Sequence, residues 1–277
     1  IRARDVTGVQ TCALPIYCWD DIVAAGLCAV NRKKYDGLVN DIRFNGGKIP
    51  PMRLPLVRDD KLEGESPDVL IIGGGIVGCA IARECARYDM RILLVEKEHD
   101  LAMQTTSRND GMVHPGVDLI PGQIKRRYNM RGNRMYDRIC GELDVPFRRS
   151  GQYICFRGKK LALAAFFGQF YYKLIGPKAF YLNRSAFFQR EPNMNPAICA
   201  ALYFPAAGVV SPYGLAVAYA ENAVDNGATI SLDTAVLGMQ VKDNTIVSVQ
   251  TNRGTVYPKV VINASGVFAE DVAAMAQ

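Results

Sequence analysis

Three glycines and one carboxylate carry the most specific chemistry in the chain. Gly73, Gly75 and Gly78 stand in the run DVLIIGGGIVGCAIARE (residues 68–84) with the spacing GxGxxG, and Glu96 follows 18 positions after Gly78. The first glycine permits a tight turn, the second leaves no side chain to obstruct a pyrophosphate, and the third lets a helix pack closely on a strand. A helix beginning there offers N–H groups and partial positive charge to phosphates. A carboxylate at the end of the next strand accepts both ribose hydroxyls of an adenosine. Dinucleotide binding is the expectation; the plainer alternative is a glycine-rich core turn.

Those residues work only if regular elements hold them. Residues 69–72 read as a short buried strand, 76–88 as a helix and 91–96 (RILLVE) as a second buried strand. Strand, turn, helix and strand within about 30 residues form a βαβ unit with a right-handed crossover. Beyond it, residues 123–142 read as a strongly basic helix, 152–156 as a strand and 159–175 as an aromatic-rich helix. Residues 211–228 have helical period, with proline near the start and Gly227 at the end. The runs 229–232, 236–241, 245–251 and 255–257 read as short strands, turned at Asp243-Asn244 and at 252–254. A last strand, 260–263, ends in NASG.

Composition sets the outer bounds. With 277 residues, 49% hydrophobic and 22% charged, the chain is globular in type and long enough for one large or two ordinary domains. No apolar run approaches the ~20 residues of a membrane helix, and residues 22–30 lack the flanks of a secretory signal. Eight cysteines form no CxxC pair and only two histidines exist, so the expectation is no metal site and a reduced, cytoplasmic chain. A net charge of +6 does not call for nucleic acid. Residues 1–16 resemble a translated sequencing adapter and are set aside from fold reasoning; 17–66 read as an unassigned extension ending in a polar linker, 58–67. The final residues run into an apparent helix without a terminal cap, so the chain reads as a fragment.

The identity of the nucleotide follows from what comes after Glu96. A nicotinamide enzyme would continue with further strand–helix units. This chain instead enters a polar loop, TTSRNDGMVHPG (105–116), and later makes a β meander and returns through a strand to NASG. That is the layout of a flavoprotein with FAD extended across the sheet. The stretches DVLIIGGGIVGCAIARECARYDMRILLVEKE, SRNDGMVHPGVDLIPGQIKRRYNMRGNRMYDRICGELDVPF, REPNMNPAICAALYFPAAGVVSPYGLAVAYAENAVDNGA and VVINASGVFAEDVA resemble the D-amino-acid-oxidase-like FAD-dependent oxidoreductases. Within that superfamily they resemble most the branch with glycerol-3-phosphate dehydrogenases and L-2-hydroxyglutarate oxidases.

The resemblance implies an α/β fold: a Rossmann-like FAD-binding domain of the two-dinucleotide-binding flavoprotein type, split into 67–150 and 211–277, with an interleaved, incomplete α+β substrate domain at 151–210. It implies that Ser107, Arg108 and Asn109 lie along the flavin side, with Ser107 or Thr106 near phosphate. It implies backbone contacts from Val236 to adenine, and approach of Ala264 and Gly266 to the pyrophosphate or ribityl chain. Two positions depart from the pattern, Asp110 and Pro115.

The implied reaction is oxidation of a small anionic alcohol: sn-glycerol 3-phosphate to dihydroxyacetone phosphate, by hydride transfer to the flavin. The alternatives are oxidation of L-2-hydroxyglutarate, another 2-hydroxy acid or an amino acid, a nicotinamide-dependent dehydrogenase, and an inactive truncated fragment. His114 reads as base or substrate hydrogen-bond donor, or as a residue that only packs on the flavin; His99 reads as a surface residue. Lys125, Arg126, Arg127, Arg131, Arg134 and Arg138 read as an attractor of an anionic substrate or membrane surface, or as a solvated helix face. The aromatic run 165–174 reads as part of a substrate cap, a membrane contact, or a helix packed on a sheet. The expected location is cytoplasmic, with peripheral contact to the inner membrane as an option. The electron acceptor is open.

Overall fold

A computed structural model describes the backbone of residues 9–12 and all of residues 58–276. In chain order the strands are β1 (Val9–Cys12), β2 (Val69–Ile72), β3 (Ile92–Val95), β4 (Met112–Val113), β5 (Phe147–Arg148), β6 (Gln152–Arg157), β7 (Phe180–Asn183), β8 (Ile198–Phe204), β9 (Gly208–Val210), β10 (Thr229–Ser231), β11 (Val236–Lys242), β12 (Thr245–Thr251), β13 (Gly254–Val256) and β14 (Val260–Asn263). The helices are α1 (Ile76–Cys85), α2 (Ile124–Glu142), α3 (Lys159–Ile175), α4 (Arg184–Arg190), α5 (Pro212–Asp225) and α6 (Ala269–Ala274). The described residues fall into two compact units, which divide between Thr105 and Thr106 and between Tyr219 and Ala220. The sequence reading placed these divisions near 150 and 210.

The unit made of 58–105 and 220–276 is built on a parallel sheet of order β10-β3-β2-β14. Both β2 and β3 are buried at every position. This is why their sequences read as unbroken apolar runs rather than alternating ones. Leu70, Ile72, Leu93 and Val95 pack with Val249 and Val256 of the β11–β12–β13 meander and with Val272. The meander turns at Asp243 and Asn244, both with positive φ, as a tight hairpin requires.

The stretch 58–67 is not a linker. The Leu62 N–H donates to the Arg253 carbonyl at 2.8 Å and the Gly64 N–H to Thr255 at 2.9 Å. Leu62 enters the core cluster at 8% exposure, and Arg253 pairs with Asp59 at 2.6 Å. A polar sequence concealed a strap whose backbone partners lie nearly two hundred residues away. Helix α1 ends at Cys85, three residues before the expected end, and Tyr88 closes a turn onto the Cys85 carbonyl.

The unit made of 106–219 has an antiparallel sheet of order β1-β6-β8-β7 and a small one of order β4-β9-β5. One face of the larger sheet packs Ile154, Leu202 and Phe204 with Ala165 of α3; the other packs Tyr153, Cys155 and Ala201 with Phe187 of α4. Strand β1, from the segment set aside in the sequence reading, pairs antiparallel with β6. Strands β4, β5, β7, β8 and β9 and helix α4 were all unassigned from sequence. The start of α4 is fixed by Asn183, whose side chain accepts from the Ala186 N–H at 2.9 Å. Residues 13–57 lie outside the described residues, so the helix-like spacing in 17–40 is not addressed.

Candidate functional site

The glycine turn sits at the C-terminal edge of the parallel sheet. Gly73 follows β2 with φ +110, and its N–H donates to the Val95 carbonyl at 2.9 Å. The NASG segment after β14 runs over this turn. A Cβ on Gly73 would lie 2.6 Å from the Ala264 carbonyl oxygen. A Cβ on Gly78 would lie 1.9 Å from the Gly73 carbonyl oxygen. Helix, turn and NASG backbone are therefore in contact where side chains are missing. Gly75 caps α1 in an extended conformation, with no side-chain cap and no acidic residue in the first turn. The positive end of α1 is left without a compensating carboxylate of its own.

Glu96 closes the other side of this turn. It is 8% exposed. Its carboxylate accepts from the Gly74 N–H at 2.5 Å and from the Glu98 N–H at 3.0 Å. A carboxylate has about four acceptor positions, so two bonds orient the group and leave capacity for further donors. The Thr234 N–H donates to the Glu96 carbonyl at 2.7 Å, and this tie carries the chain into Val236 at the start of β11. The structure thus gathers Gly73, Gly75, Gly78, Glu96, Val236 and Ala264 at one sheet edge. Gly266 follows with φ +61 and open space around its Cα.

Sequence reasoning missed three contributors here. Gly74, the middle glycine, supplies the N–H that orients Glu96, and a Cβ on it would lie 2.7 Å from a Leu101 methyl. The Ala102 N–H donates to the Gly74 carbonyl at 3.0 Å. Asn263 shapes NASG: its Oδ1 accepts from the Ser265 hydroxyl at 2.6 Å and its Nδ2 donates to Ala269 at 2.8 Å. The third consecutive glycine was the only available signal. Cys79, buried in α1, donates its thiol to the Gly74 carbonyl; burial first, and then the Glu96 charge, pushes its pKa up to about 12.

The remaining expected residues belong to the other unit. Thr106 and Ser107 lie in a single helical turn, and Arg108 and Asn109 follow it, exposed. Asn109 donates to the Thr106 carbonyl at 2.8 Å and accepts from the Gly111 N–H at 2.9 Å. Asp110, one of the two departures, accepts from the Met112 N–H at 3.1 Å, and Pro115, the other, is fully buried. His114 is half exposed, with Nδ1 3.8 Å from Asp118. Its carbonyl is held by Asn133, whose amide also donates to Val113 and Ala206. Arg149 in turn bonds Asn133 and Asp137, and that hydrogen bond holds the Asp137 carboxyl below its ordinary range. His99 is exposed.

The basic cluster separates into two roles. Arg126 is buried and donates to the Gly116, Ile175 and Gly176 carbonyls, so it is a structural residue. Arg127, Arg131, Arg134 and Arg138 are exposed, and Arg138 pairs with Glu142 at 3.2 Å. Among the described residues no cluster of metal-ligating side chains occurs, and no helix is long and apolar enough to cross a membrane.

A glycine turn closed by backbone, an uncapped helix N-terminus and a buried, oriented carboxylate fit the pyrophosphate and ribose of a dinucleotide. Residues 68–277 match the FAD-dependent oxidoreductase (DAO) family. The chain belongs to that family. FAD is the family's cofactor, and the α/β fold is the family's fold. A glycerol 3-phosphate dehydrogenase of Caloramator mitchellensis is 36% identical over 209 residues, covering 74% of this chain and 43% of the relative. An L-2-hydroxyglutarate dehydrogenase of Indibacter alkaliphilus is 29% identical over 214 residues, covering 76% of this chain and 52% of the relative. The L-α-glycerophosphate oxidase structure of Mycoplasma pneumoniae, with FAD bound, matches with a TM-score of 0.67 and 27% identity over 76% of this chain and 57% of that one. The chain thus spans about half the length of the relatives it matches.

Proposed function

We propose that this chain is the cofactor-binding part of an FAD-dependent dehydrogenase or oxidase acting on sn-glycerol 3-phosphate. The observation that carries the substrate is the 36% identity to a glycerol 3-phosphate dehydrogenase, set against 29% to an L-2-hydroxyglutarate dehydrogenase. Oxidation of a 2-hydroxy acid is the second reading, and that relative is what favours it.

The residues of the glycine turn have assignable roles in this reading. The α1 N-terminus and Gly75 take the pyrophosphate, Glu96 accepts the ribose hydroxyls, and the Val236 backbone meets adenine. Ala264 and Gly266 approach the pyrophosphate or ribityl chain. Thr106, Ser107, Arg108 and Asn109 serve the flavin side. FAD, when bound, supplies a two-electron acceptor for hydride. His114 accepts the substrate hydroxyl proton or orders the hydroxyl by a hydrogen bond. The substrate is a small anion. The electron acceptor is a separate partner.

The test is a visible spectrum of the purified chain and identification of what denaturation releases. Released FAD supports the cofactor assignment. Bleaching of the flavin by glycerol 3-phosphate, and not by 2-hydroxyglutarate, supports the substrate; the reverse selectivity moves the assignment to the second reading. A folded chain that neither carries nor takes up FAD overturns the proposal.

A further inference from the structure

The loop after β4 is clamped by side chains from two helices. Along it the residues alternate in direction: Val113, Pro115 and Val117 are buried, while His114 and Asp118 are exposed. Four of its carbonyls are taken by donors from elsewhere in the unit. Asn133 of α2 donates to Val113 at 3.3 Å and to His114 at 3.0 Å, and Arg126 of α2 donates to Gly116 at 3.3 Å. The Tyr172 hydroxyl of α3 donates to Val117 at 3.5 Å. Gly116 turns the chain with φ +84, and a Cβ on it would lie 3.0 Å from Met130 and 3.1 Å from Asn129. Val117 then enters the core with Ile154 and Phe204. Surface loops ordinarily leave such carbonyls to water. Here the backbone is fixed, and with it the two side chains that point outward. They meet: His114 Nδ1 stands 3.8 Å from the Asp118 carboxylate.

An acidic partner is scarce in this unit. Residues 106–219 carry 16 Lys and Arg against 6 Asp and Glu, a net +10, and a single histidine. One of those six carboxylates lies beside that histidine. Among the described residues Asp118 has no ion pair with Lys or Arg; its partner is His114. Burial first, and then the charge of Asp118, pushes the Tyr172 phenol up. The carboxylate is therefore close both to the imidazole and to the phenol that holds Val117.

We propose that Asp118 is the positioning residue for His114, holding the Nδ1–H side of the imidazole and leaving Nε2 to accept the substrate hydroxyl proton. The inference rests on the reading of His114 as the base. The tautomer of an imidazole is set by the hydrogen bond that its other nitrogen makes, and catalytic pairs of this kind tighten when substrate binds. In the step itself the substrate O–H bond breaks and its proton passes to Nε2. The hydride leaves carbon with both electrons for the flavin. Asp118 offsets the positive charge that develops on the imidazole.

The experiment is nitrogen NMR of the full chain with labelled histidine rings. The chain has two histidines, so His99→Gln leaves the His114 ring as the single signal. At a pH where the ring is neutral, the Nδ1–H tautomer is expected to predominate. Asp118→Ala should lower the ratio of Nδ1–H to Nε2–H about threefold or more, with the far-UV circular dichroism unchanged. Asp118→Glu, which keeps the carboxylate, should restore part of that ratio. A wild-type ring with its proton on Nε2 overturns the proposal, as does an Asp118→Ala ring with an unchanged ratio. In the chain carrying FAD, Asp118→Ala should slow flavin bleaching at saturating glycerol 3-phosphate about tenfold or more, with the half-saturating concentration within about twofold. An unchanged saturated rate also overturns the proposal. The NMR reading needs neither flavin nor substrate. A paired ring in a chain that takes up no FAD supports positioning by Asp118 and rejects the proposed function; an unpaired ring in an active flavoprotein does the reverse.

Discussion

The two units solve opposite problems. The one built on the parallel sheet holds its working residues by close backbone contact: a Cβ at Gly73, Gly74 or Gly78 would meet backbone or buried side chain at under 3.0 Å. The one built on the antiparallel sheet holds its candidate loop by side chains instead, with Asn133 gripping three carbonyls and Arg149 gripping Asn133. They also differ in charge. Residues 58–105 with 220–277 carry 9 basic and 16 acidic side chains, a net −7, against +10 in the other unit. Backbone-to-backbone contact tolerates almost no substitution. A side-chain clamp tolerates what preserves its hydrogen bonds, and an exposed helix face tolerates most changes.

Gly78→Val should break this contrast most severely. Its Cβ would fall 1.9 Å from the Gly73 carbonyl oxygen, and neither backbone can move without opening α1 from β2. A loss of about 4 kcal/mol or more is expected, read as a large drop in melting temperature together with loss of FAD retention. Glu96→Ala comes next. It strands the buried Gly74 and Glu98 N–H groups, at about 1–3 kcal/mol each if water does not enter. Glu96→Gln should keep part of that stability while still weakening FAD binding, which separates the structural bonds from the carboxylate's charge. Denaturant titration and flavin release distinguish the two.

The other unit should show smaller effects. Gly132 lies within α2, and a Cβ there meets nothing within 4 Å. Gly132→Ala should therefore stabilise the protein by about 1 kcal/mol, where the same change at Gly78 is ruinous. The smallest effect belongs to Asp137. Its folded pKa is lowered, from an ordinary value of 3.8, by the Arg149 hydrogen bond. Its contribution is present above that ordinary value and is lost as pH falls through the folded one. The side chain is 61% exposed, so screening keeps the effect to a few tenths of a kcal/mol. Asp137→Asn should cost those few tenths at neutral pH, and its difference from wild type should vanish as the pH falls well below about 4.

The legibility of the sequence follows the same division. The run 245–251 and the run 260–263 match β12 and β14 residue for residue, because β-branched runs bounded by turn residues carry their own signal. Gly73, Gly75, Gly78 and Glu96 were likewise readable, since their spacing is fixed by a strand, one turn and one helix. Strand β8, with ICAALYF, was not readable. Its alanines and buried aromatics suit a helix as well as a strand, and only pairing with β6 and β7 decides. Short strands such as β4 and β5, of two residues each, exist only through β9.

By itself, the sequence determined the βαβ unit, the dinucleotide-type turn, the acidic residue beyond it and the return of the chain through NASG. These are local patterns, in which a few residues dictate one backbone path. Only the tertiary structure decided that Gly74 orients Glu96, that a polar stretch at 58–67 is strapped to β13, and that Arg126 is buried while its neighbours are not. Each of those depends on partners far along the chain. Spacing along a sequence cannot encode a contact whose other half is set by how two distant segments pack.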